Sequence, residues 1–321
     1  MPELSIIMPL YNTEKYVGKA IQSLLLQSYT DFELIVVNDA STDDSLKVVK
    51  SFKDTRIKII TNDQNQGIVF SRNRGLNEAV GKFIAPFDSD DVAMPHKFRK
   101  QIDFLKMNAD FGMVGSWTRM IDEEDSILKN KWRLPAPSKR IPAILLFRNY
   151  FVQSTIVIRR EAIPDAGYQS GFDIVEDYIM WIDIARKFKV WNYPEYLVHY
   201  RIHSQSATKT NLERLHKCDI KVFQYTFNQL GIELDEKSSL LLLKIKSNEN
   251  IYNAEEIKNI ENLLLLILKT NAERHVYNQK QLTKVIFDRW IKVCYKARNQ
   301  FFTTAKNFIT SPLLVAYIKN I

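Results

Sequence analysis

Short apolar runs alternate with helical patterns over the first hundred residues, and this alternation constrains the fold more than any other feature of the chain. The runs are rich in Ile, Val and Phe, as buried strands are, and they occupy Leu4–Met8, Leu34–Val37, Ile57–Ile60 and Phe83–Phe87. Between consecutive runs, apolar residues recur at helical spacing. Strand–helix alternation of this kind predicts an α/β fold with a parallel sheet and helices on both of its faces.

The ends of these predicted strands indicate where a ligand would bind. In open parallel sheets, ligands bind beyond the carboxyl ends of the strands, which here selects Pro9–Asn12, Asn38–Ser41 and Asp88–Asp91. The glycines of the dinucleotide-binding fingerprint are absent after the first strand, where the chain reads Pro-Leu-Tyr-Asn. Nicotinamide-dependent oxidoreduction is therefore disfavoured.

The rest of the chain divides into a less regular stretch and a helical region. Residues 111–160 look irregular, and their prolines indicate a connecting segment. Ser154–Arg159 and Tyr196–Tyr200 predict further strands, and Glu176–Lys187 predicts a helix. From about Thr208 the pattern is helical to the end.

This change in composition predicts a domain boundary. Residues 1–207 form the predicted first domain, with halves of about 1–110 and 111–207, and residues 208–321 form a helical C-terminal region. The chain carries a net charge of +8, nearly all of it between Lys280 and the end, where eight Lys or Arg stand against one Asp. Such a basic segment can bind nucleic acid, anionic lipid or an acidic substrate, or it can be a solvated helical face.

Composition also limits the class of protein. The chain has 321 residues, 45% of them hydrophobic, which is enough to bury a core and excludes wholesale disorder. Two cysteines cannot form a disulfide framework and suit a reducing compartment. The N-terminus shows no basic-then-apolar leader, and no apolar run approaches the roughly 20 residues of a membrane span. We therefore expect a cytoplasmic protein, soluble or peripheral on a membrane.

Three carboxylates stand at the end of the fourth predicted strand, in Asp88-Ser89-Asp90-Asp91. Clustered like charges repel one another unless a cation lies among them. Oxygen ligands in an open site suit Mg²⁺ or Mn²⁺, which keep bound waters and bridge phosphates. The alternative is an acidic cap on the helix that starts near Pro95. The sequence therefore allows two interpretations of this acidic motif, a divalent-cation site or an acidic cap on a helix.

Other polar side chains lie near the same predicted edge. Asp39 could accept a hydrogen bond from a nucleobase or cap the next helix, and Arg72 could face phosphates. Glu176 and Asp177 open a predicted helix. An acidic pair in this position either interacts with the helix dipole or supplies a general base for proton transfer from an acceptor hydroxyl.

A second polar group follows the last predicted strand of the first domain. Arg201 and His203 share one side of an extended segment, because side chains at i and i+2 do. A histidine paired with an arginine near an acidic cluster could complete a metal–diphosphate site, although a lone histidine is usually structural. Trp181, in the helix that Glu176 opens, is expected in the core or in the wall of a pocket.

Six motifs occur in an order that strongly resembles the family 2 glycosyltransferases, above all the bacterial enzymes that build lipooligosaccharide, O-antigen or capsule. The resemblance spans about residues 3–207 and is carried by the segments Ser5–Asn12, Val37–Asp43, Asn65–Gly67 with Ser71–Leu76, Asp88–Asp91, Glu176–Tyr178 with Trp181, and Tyr200–Ser204. It implies the nucleotide-diphospho-sugar transferase fold of the GT-A type. That fold is a Rossmann-like, mostly parallel sheet that lacks the glycine fingerprint.

The resemblance also implies roles for individual residues. The first half of the domain would bind the nucleotide, usually uridine, and the second half the acceptor. The residues that would contact the donor are Pro9, Tyr11, Asp39, Asn65, Arg72, Asp88 and Arg201. A divalent cation, Mn²⁺ or Mg²⁺, would be ligated by Asp90 and His203. Asp177 would be the catalytic base, with Glu176 and Trp181 at the acceptor.

These implied roles define a predicted function. The resemblance implies an inverting, metal-dependent hexosyltransferase that moves a sugar from a nucleotide-diphosphate donor, a UDP-sugar, to a hydroxyl of a glycan or lipid-linked glycan in surface polysaccharide or lipopolysaccharide synthesis. A catalytically silent sugar-nucleotide-binding module is an alternative. A sugar-nucleotide pyrophosphorylase is a weaker one, because its glycine-rich phosphate loop is missing. Nucleic-acid binding is disfavoured because no recognised motif supports it.

The basic segment after Lys280 interleaves its cations with large apolar and aromatic side chains. A segment of this kind can lie in a membrane interface, and we expect it to bind an anionic membrane surface. The alternative is that its apolar residues pack against the rest of the chain or against a second subunit of a homo-oligomer, with the lysines in solvent.

Overall fold

The structure is a computed structural model that describes residues 1–204, 212–247, 253–297 and 309–319. The chain divides into two compact units. Unit 1 comprises Met1–Ser138 and Phe151–Leu212, and unit 2 comprises Lys139–Tyr150 and Glu213–Ile321. The domain boundary predicted at residue 207 lies outside the described residues. Residues 139–150, which the sequence assigned to the first domain, cluster with unit 2.

The described part of unit 1 contains a nine-stranded sheet. Its spatial order is β3-β2-β1-β4-β8-β6-β9-β5, and β7 pairs with β6 outside this path. The strands are β1 Leu4–Leu10, β2 Phe32–Asn38, β3 Ile57–Thr61, β4 Phe83–Pro86, β5 Val92–Ala93, β6 Phe111–Ile121, β7 Ile127–Trp132, β8 Val157–Arg159 and β9 Lys189–Arg201.

The N-terminal half of the sheet is parallel throughout. β1 pairs in parallel with β2 and with β4, and β2 pairs in parallel with β3. β6 and β9 are also parallel, whereas β8 runs antiparallel to both β4 and β6. The predicted α/β fold with a parallel sheet is therefore confirmed, and the antiparallel strand β8 joins its two parallel parts.

Helices cover the sheet because its strands are apolar on both faces. All seven residues of β1 are buried. Its even-numbered side chains, such as Ile6 and Met8, pack in one core cluster, while Ile7 packs in a second cluster with Ile35 and Val37. Successive strand residues point to opposite faces, so a continuous apolar run requires a layer on each side. The helices of unit 1 are α1 Val17–Leu25, α2 Ser45–Ser51, α3 Ile68–Glu78, α4 Lys97–Met107 and α6 Glu176–Lys187.

The expectation that residues 111–160 are irregular was wrong for their first part. Residues 111–121 form β6, a long strand that lies between β8 and β9. Gly112 and Gly115 interrupt the apolar pattern, but both lie where neighbours approach the backbone closely. A Cβ on Gly112 would lie 2.6 Å from the Cβ of Phe188. Glycine inside a strand often marks such an approach rather than a break.

Two other predicted strands differ in length from the observed ones. The predicted strand Tyr196–Tyr200 is the C-terminal part of β9, which begins at Lys189. The predicted strand Ser154–Arg159 is shorter in the structure, because Gln153–Thr155 forms a single 3₁₀ turn before β8. In that turn the Thr155 hydroxyl donates to the Val152 carbonyl at 2.6 Å, which occupies a backbone acceptor before the strand starts.

Unit 2 is helical, as predicted for the C-terminal region. Its helices are α5 Ile141–Leu145, α7 Leu212–Leu230, α8 Glu236–Ser247, α9 Ala254–Arg274, α10 Gln279–Lys296 and α11 Pro312–Lys319. A capping box starts α9, where the Asn253 side chain accepts from the Glu256 backbone and Glu256 bonds back to Asn253. Trp290 on α10 is fully buried. Among the described helices, none combines the length and apolar character needed to cross a membrane.

Candidate functional site

The candidate site lies at the carboxyl edge of the parallel strands, where the sequence placed it. β1, β2 and β4 end at Leu10, Asn38 and Pro86, and the loops that follow carry the polar motifs. Asp39 donates its backbone N–H to the Leu10 carbonyl at 2.9 Å, which joins the first two loops. Asn12 and Ala40 take positive φ angles of 51° and 56°, so both loops turn sharply as they leave the sheet.

Asp39 is buried, and its carboxylate organises the loop before α3. Its Oδ1 accepts from Asn62 Nδ2 at 2.6 Å and from the backbone N–H of Gln66 at 2.9 Å. Its Oδ2 accepts from the backbone N–H of Gly67 at 2.9 Å. Gly67 precedes α3 with a φ of 86°, a conformation that glycine adopts without strain. These partners lie in the loop before α3 and not in α2, the next helix along the chain, so the alternative that Asp39 caps that helix gains no support. A nucleobase contact at Asp39 stays a prediction.

Three other residues predicted to contact the nucleotide lie at the same edge. Pro9 is buried in β1, whereas Tyr11 is half exposed in the loop that follows. Asn65 is exposed in the loop between β3 and α3. Tyr11 and Asn65 are therefore accessible to a ligand, whereas Pro9 is not.

The acidic cluster after β4 is distributed between buried and half-buried positions. Asp91 is fully buried, and its Oδ1 accepts the backbone N–H of Arg201 at 2.8 Å. Burial raises the pKa of Asp91 well above its usual range, and the charges of Asp90 and Asp88 raise it further. Burial also raises the pKa of Asp88. The positive charge of Arg72 lowers this pKa, and the negative charge of Asp90 raises it further. Three carboxyl groups are therefore close together here, and burial and mutual repulsion disfavour the ionised forms of Asp88 and Asp91 when no cation is bound.

Asp90 and His203 meet at the edge of the site, as the sequence predicted for a pair of metal ligands. His203 Nε2 lies 2.9 Å from Asp90 Oδ2, and the imidazole packs on Tyr16 with ring centroids 5.0 Å apart. Among the described residues, no three His, Cys, Asp or Glu side chains converge as a complete ligand set. Asp90 and His203 are close enough to bind one cation together, and metal binding by this pair stays a prediction.

Arg201 is braced by protein groups, and this geometry gives no support to its predicted contact with the diphosphate. The side chain is 1% exposed. Its Nε donates to the Asp90 carbonyl and its Nη1 to the Asp122 carbonyl, both at 2.8 Å, and its Nη2 donates to Asp125 Oδ1 at 2.5 Å. Arg201 therefore ties the loop of the metal-ligand candidate Asp90 to the turn between β6 and β7.

The geometry of Arg72 likewise gives no support to its predicted contact with the nucleotide. It is buried, its Nη2 donates to Asp88 Oδ1 at 2.8 Å, and its Nη1 donates to Glu176 Oε1. Both terminal nitrogens thus serve carboxylates of the protein rather than an open position for phosphate. Burial alone would lower the pKa of Arg72, but Glu176 and Asp88 outweigh burial and hold the pKa above its ordinary value.

The acidic pair lies in the first turn of α6, as predicted. Glu176 is buried against Arg72, whereas Asp177 is half-buried. Trp181 is fully buried, and its ring meets Phe151 edge-on at 6.4 Å. The prediction that Trp181 contacts the acceptor is therefore wrong for this structure, since no part of its side chain reaches the surface; its alternative assignment to the core is correct.

Sequence reasoning missed several residues that build the site. Ser154 Oγ accepts the backbone N–H of Asp88 at 3.0 Å, and Glu123 Oε1 accepts the backbone N–H of Ser204 at 3.1 Å. Asn62 supports Asp39, and Tyr16 supports His203. No local pattern marks these residues, because each acts on a partner far away in the sequence.

A mixed α/β sheet with acidic loops at its parallel carboxyl edge places the protein in the class of Rossmann-like folds of the GT-A type. Two solved structures share this fold. S. aureus TarS residues 1–349 superposes with a TM-score of 0.58 at 17% identity, covering 95% of this chain and 91% of that one. The mannosyltransferase PcManGT from Pyrobaculum calidifontis gives a TM-score of 0.54 at 14% identity, covering 99% and 87%.

The family follows from the sequence matches. The chain belongs to glycosyl transferase family 2, whose model matches residues 5–166, and it is a glycosyltransferase. It is 32% identical to an uncharacterized glycosyltransferase of Haemophilus influenzae over 76% of this chain and 80% of that protein. It is 35% identical to the Escherichia coli O-antigen biosynthesis glycosyltransferase WbnJ, over 65% and 83%. The predicted family is thus confirmed.

Proposed function

We propose that this protein is an inverting, metal-dependent hexosyltransferase that transfers a sugar from a UDP-sugar to a glycan hydroxyl in the synthesis of a bacterial surface polysaccharide or lipooligosaccharide. The observation that carries the proposal is that one arginine, Arg72, binds both the acidic loop after β4 and the acidic pair at the start of α6. Asp88, two residues before Asp90, is linked through Arg72 to Glu176, the neighbour of Asp177. The segments that carry the proposed cation ligand Asp90 and the proposed base Asp177 are thus connected by buried ion pairs, which supports the proposal.

The choice of donor rests on related proteins. TarS has been crystallised with UDP and with UDP-GlcNAc. The Escherichia coli protein WfaP, 30% identical over 67% of this chain and 83% of that protein, is named a UDP-Glc:alpha-D-GlcNAc-diphosphoundecaprenol beta-1,3-glucosyltransferase. The solved structure of PcManGT is a complex with GDP-Man and Mn²⁺, which supports the use of a divalent cation and makes a guanosine donor the alternative.

The residues at the carboxyl edge have distinct tasks in the proposed reaction. Tyr11, Asn65 and Asp39 bind or support the base and ribose of the donor. Asp90 and His203 would hold the divalent cation, whose positive charge would stabilise a leaving diphosphate. Asp88 contacts the ribose or the sugar. Arg201 keeps Asp90 in place through its hydrogen bond to the Asp90 backbone carbonyl.

The transfer itself is a single displacement. Asp177 accepts the proton of the acceptor hydroxyl as the oxygen attacks the anomeric carbon. The bond between the anomeric carbon and the diphosphate oxygen breaks, and its electron pair leaves with the nucleoside diphosphate. Attack on the face opposite to the leaving group inverts the anomeric configuration. The first turn of α6 gives Asp177 a half-buried position from which a hydroxyl can be reached.

A donor panel tests this proposal. The purified protein with Mn²⁺ is incubated with UDP- and GDP-sugars, and release of nucleoside diphosphate is measured with and without candidate glycan acceptors. We expect release from one UDP-sugar, faster with acceptor and abolished by EDTA. Binding of UDP without release from any donor would instead support the silent module. Formation of a sugar 1-phosphate and a nucleoside triphosphate when pyrophosphate is added would support the pyrophosphorylase.

The lipid-linked acceptor and the cytoplasmic face of the membrane belong to the same proposal. WfaP is named for a lipid-linked acceptor, and the C-terminal helices of this chain carry surplus positive charge. In the described part of that segment, Ile291 and Tyr295 on α10 are exposed, as are Val315 and Ile318 on α11. We propose that these side chains and their neighbouring lysines contact an anionic membrane surface peripherally.

A further inference from the structure

Arg72 forms a buried bridge between two parts of the sheet edge that are far apart in sequence. It lies on α3 and is 6% exposed. Its two terminal nitrogens donate to Glu176, 104 residues away, and to Asp88, 16 residues away. The planar fork of a guanidinium can hold two carboxylates in a defined relative position, which a lysine cannot do.

The surroundings of Arg72 keep this bridge in one geometry. The guanidinium lies 5.5 Å from the centroid of the Tyr168 ring. The Tyr168 hydroxyl accepts from Gln153 Nε2 at 3.0 Å, and the Tyr168 backbone is bonded to Asn73, the neighbour of Arg72 on α3. Tyr168 is therefore held at its hydroxyl and at its backbone, and its ring limits the orientations that the Arg72 guanidinium can take.

Glu176 is as buried as Arg72 and depends on it. It is 4% exposed, and its Oε1 accepts from Arg72. Its Oε2 is buried without a hydrogen-bond partner. A buried carboxylate with one cationic partner loses most of its stabilisation if that partner is removed. The first turn of α6, which contains Asp177, would then lose its link to the sheet edge.

We infer that Arg72 is a positioning residue for the transfer reaction and not a ligand of the nucleotide. It acts through Glu176 to hold the first turn of α6, and so Asp177, in register with the acidic loop after β4. This role rests on the proposed function, because it assumes that Asp177 is the base. It requires that changes at Arg72 lower turnover while the affinity for the nucleotide stays nearly constant.

The test compares Arg72→Gln and Arg72→Lys with the wild type. The kcat and donor KM of donor consumption are measured, and the Kd of UDP with Mn²⁺ is measured by calorimetry. We expect kcat to fall by about 10- to 100-fold in both variants, because a small displacement of a reacting group has such an effect. The Kd of UDP should change by less than about threefold. The lysine should not rescue kcat, since one point charge cannot hold both carboxylates.

Arg56→Gln is the matched control. Arg56 also pairs with a carboxylate, Asp54 Oδ2 at 2.7 Å, and lies over an aromatic ring, that of Phe32 at 4.4 Å. It is in the same unit but at the opposite end of β3, so its loss should leave kcat unchanged. Thermal unfolding of every variant identifies any loss of kcat that follows from loss of the fold.

A double-mutant cycle with Glu176→Gln gives the second readout. If Arg72 acts through Glu176, the double variant should have about the same kcat as the poorer single variant, and additive losses would overturn the inference. A Kd for UDP weakened tenfold or more in Arg72→Gln, but not in Glu176→Gln, would make Arg72 a nucleotide ligand. Unchanged kcat in an active wild-type background overturns the positioning role alone, whereas a wild type without turnover overturns the proposed function as well.

Discussion

At the scale of single residues, Asp90 combines a half-buried position with two different supports. Its Oδ2 meets His203, and its backbone carbonyl accepts from Arg201. The backbone of Asp90 is thus held by Arg201 at the end of β9, and its side chain by His203 just beyond that strand. Removing the carboxylate should therefore change the cation site without releasing the loop that carries it.

We predict that Asp90→Ala abolishes the dependence of donor binding on a divalent cation. The physical reason is that a hard cation prefers a carboxylate oxygen to an imidazole nitrogen alone, so His203 cannot hold it unaided. Calorimetry with UDP, with and without Mn²⁺, measures the effect. Asp31→Ala, an exposed aspartate before β2, is the control. Equal affinity and equal Mn²⁺ dependence in Asp90→Ala and the wild type would contradict the assignment.

Asp177 offers a second prediction. Asp177→Asn preserves shape but removes basicity, so turnover should drop by at least about 100-fold while the Kd of UDP is kept. Release of UDP in the presence of acceptor measures turnover. Asp183→Asn on the same helix is the comparison, since Asp183 Oδ2 accepts from Gln169 Nε2 at 3.0 Å. Normal turnover in Asp177→Asn together with a loss in Asp183→Asn would move the base to Asp183.

At the scale of elements, α4 contains a lysine that the mechanism does not use. Lys97 is fully buried, and its Nζ lies 3.4 Å from the Ile156 carbonyl and 4.2 Å from the centroid of the Phe98 ring. Burial holds the pKa of Lys97 well below its ordinary value. The folded chain therefore releases this proton at a pH where the unfolded chain still binds it.

We predict that Lys97→Met stabilises the fold and flattens its pH dependence. At pH 7 the free energy of unfolding should rise by about 1–3 kcal/mol, because a poorly bonded polar group leaves the core. Between pH 7 and 9 the wild type should gain stability relative to the variant, since its unfolded state binds more protons there. Chemical denaturation at several pH values measures both effects. Lys47→Met, on the exposed face of α2, is the control. A variant less stable than the wild type at pH 7 would show that Lys97 is a satisfied cation.

Elements differ in how far their sequences predict them. β1 and β2 are continuous apolar runs buried on both faces, so their local pattern is sufficient. β6 is not predictable in this way, because its glycines are required by the approach of Phe188 and Asn192, which come from a distant part of the chain. Trp181 is similar, since a tryptophan in the middle of a helix suits a pocket or a core equally, and only its burial against residues such as Phe151 decides between them.

At the scale of the whole molecule, positive charge is concentrated in the C-terminal helices. In the described residues, Lys292 lies close enough to Arg289, Arg148 and Lys296 for these charges, together with burial, to lower the pKa of Lys292. Arg298, Lys306 and three phenylalanines of the predicted membrane segment lie outside the described residues. Phe287 and Tyr317, by contrast, stack on each other at 4.0 Å, so part of the aromatic content joins α10 to α11.

We predict that the protein co-sediments with anionic liposomes at low salt and less so at high salt, because each basic residue near such a surface contributes about 1 kcal/mol. Reversing Lys292, Lys296 and Lys319 to Glu should weaken binding. Reversing Lys217, Lys237 and Lys269, elsewhere in unit 2, is the control with an equal change of net charge. Substitution is preferable to truncation, since α10 buries Trp290. Equal binding by the two triple variants would mean that total charge, not this surface, governs the interaction.

The alternation of β1–β4 with their helices, the edge of the sheet at which polar loops gather, and the family are all predictable from the amino-acid sequence. These features depend on periodicity and short motifs, which neighbouring residues encode. Only the tertiary structure decided that Arg72 binds Glu176, that Arg201 braces Asp90 and Asp125, and that Trp181 is inaccessible. Each of these contacts joins segments dozens of residues apart, and whether a charged side chain faces a ligand or another side chain depends on what the folded chain brings next to it.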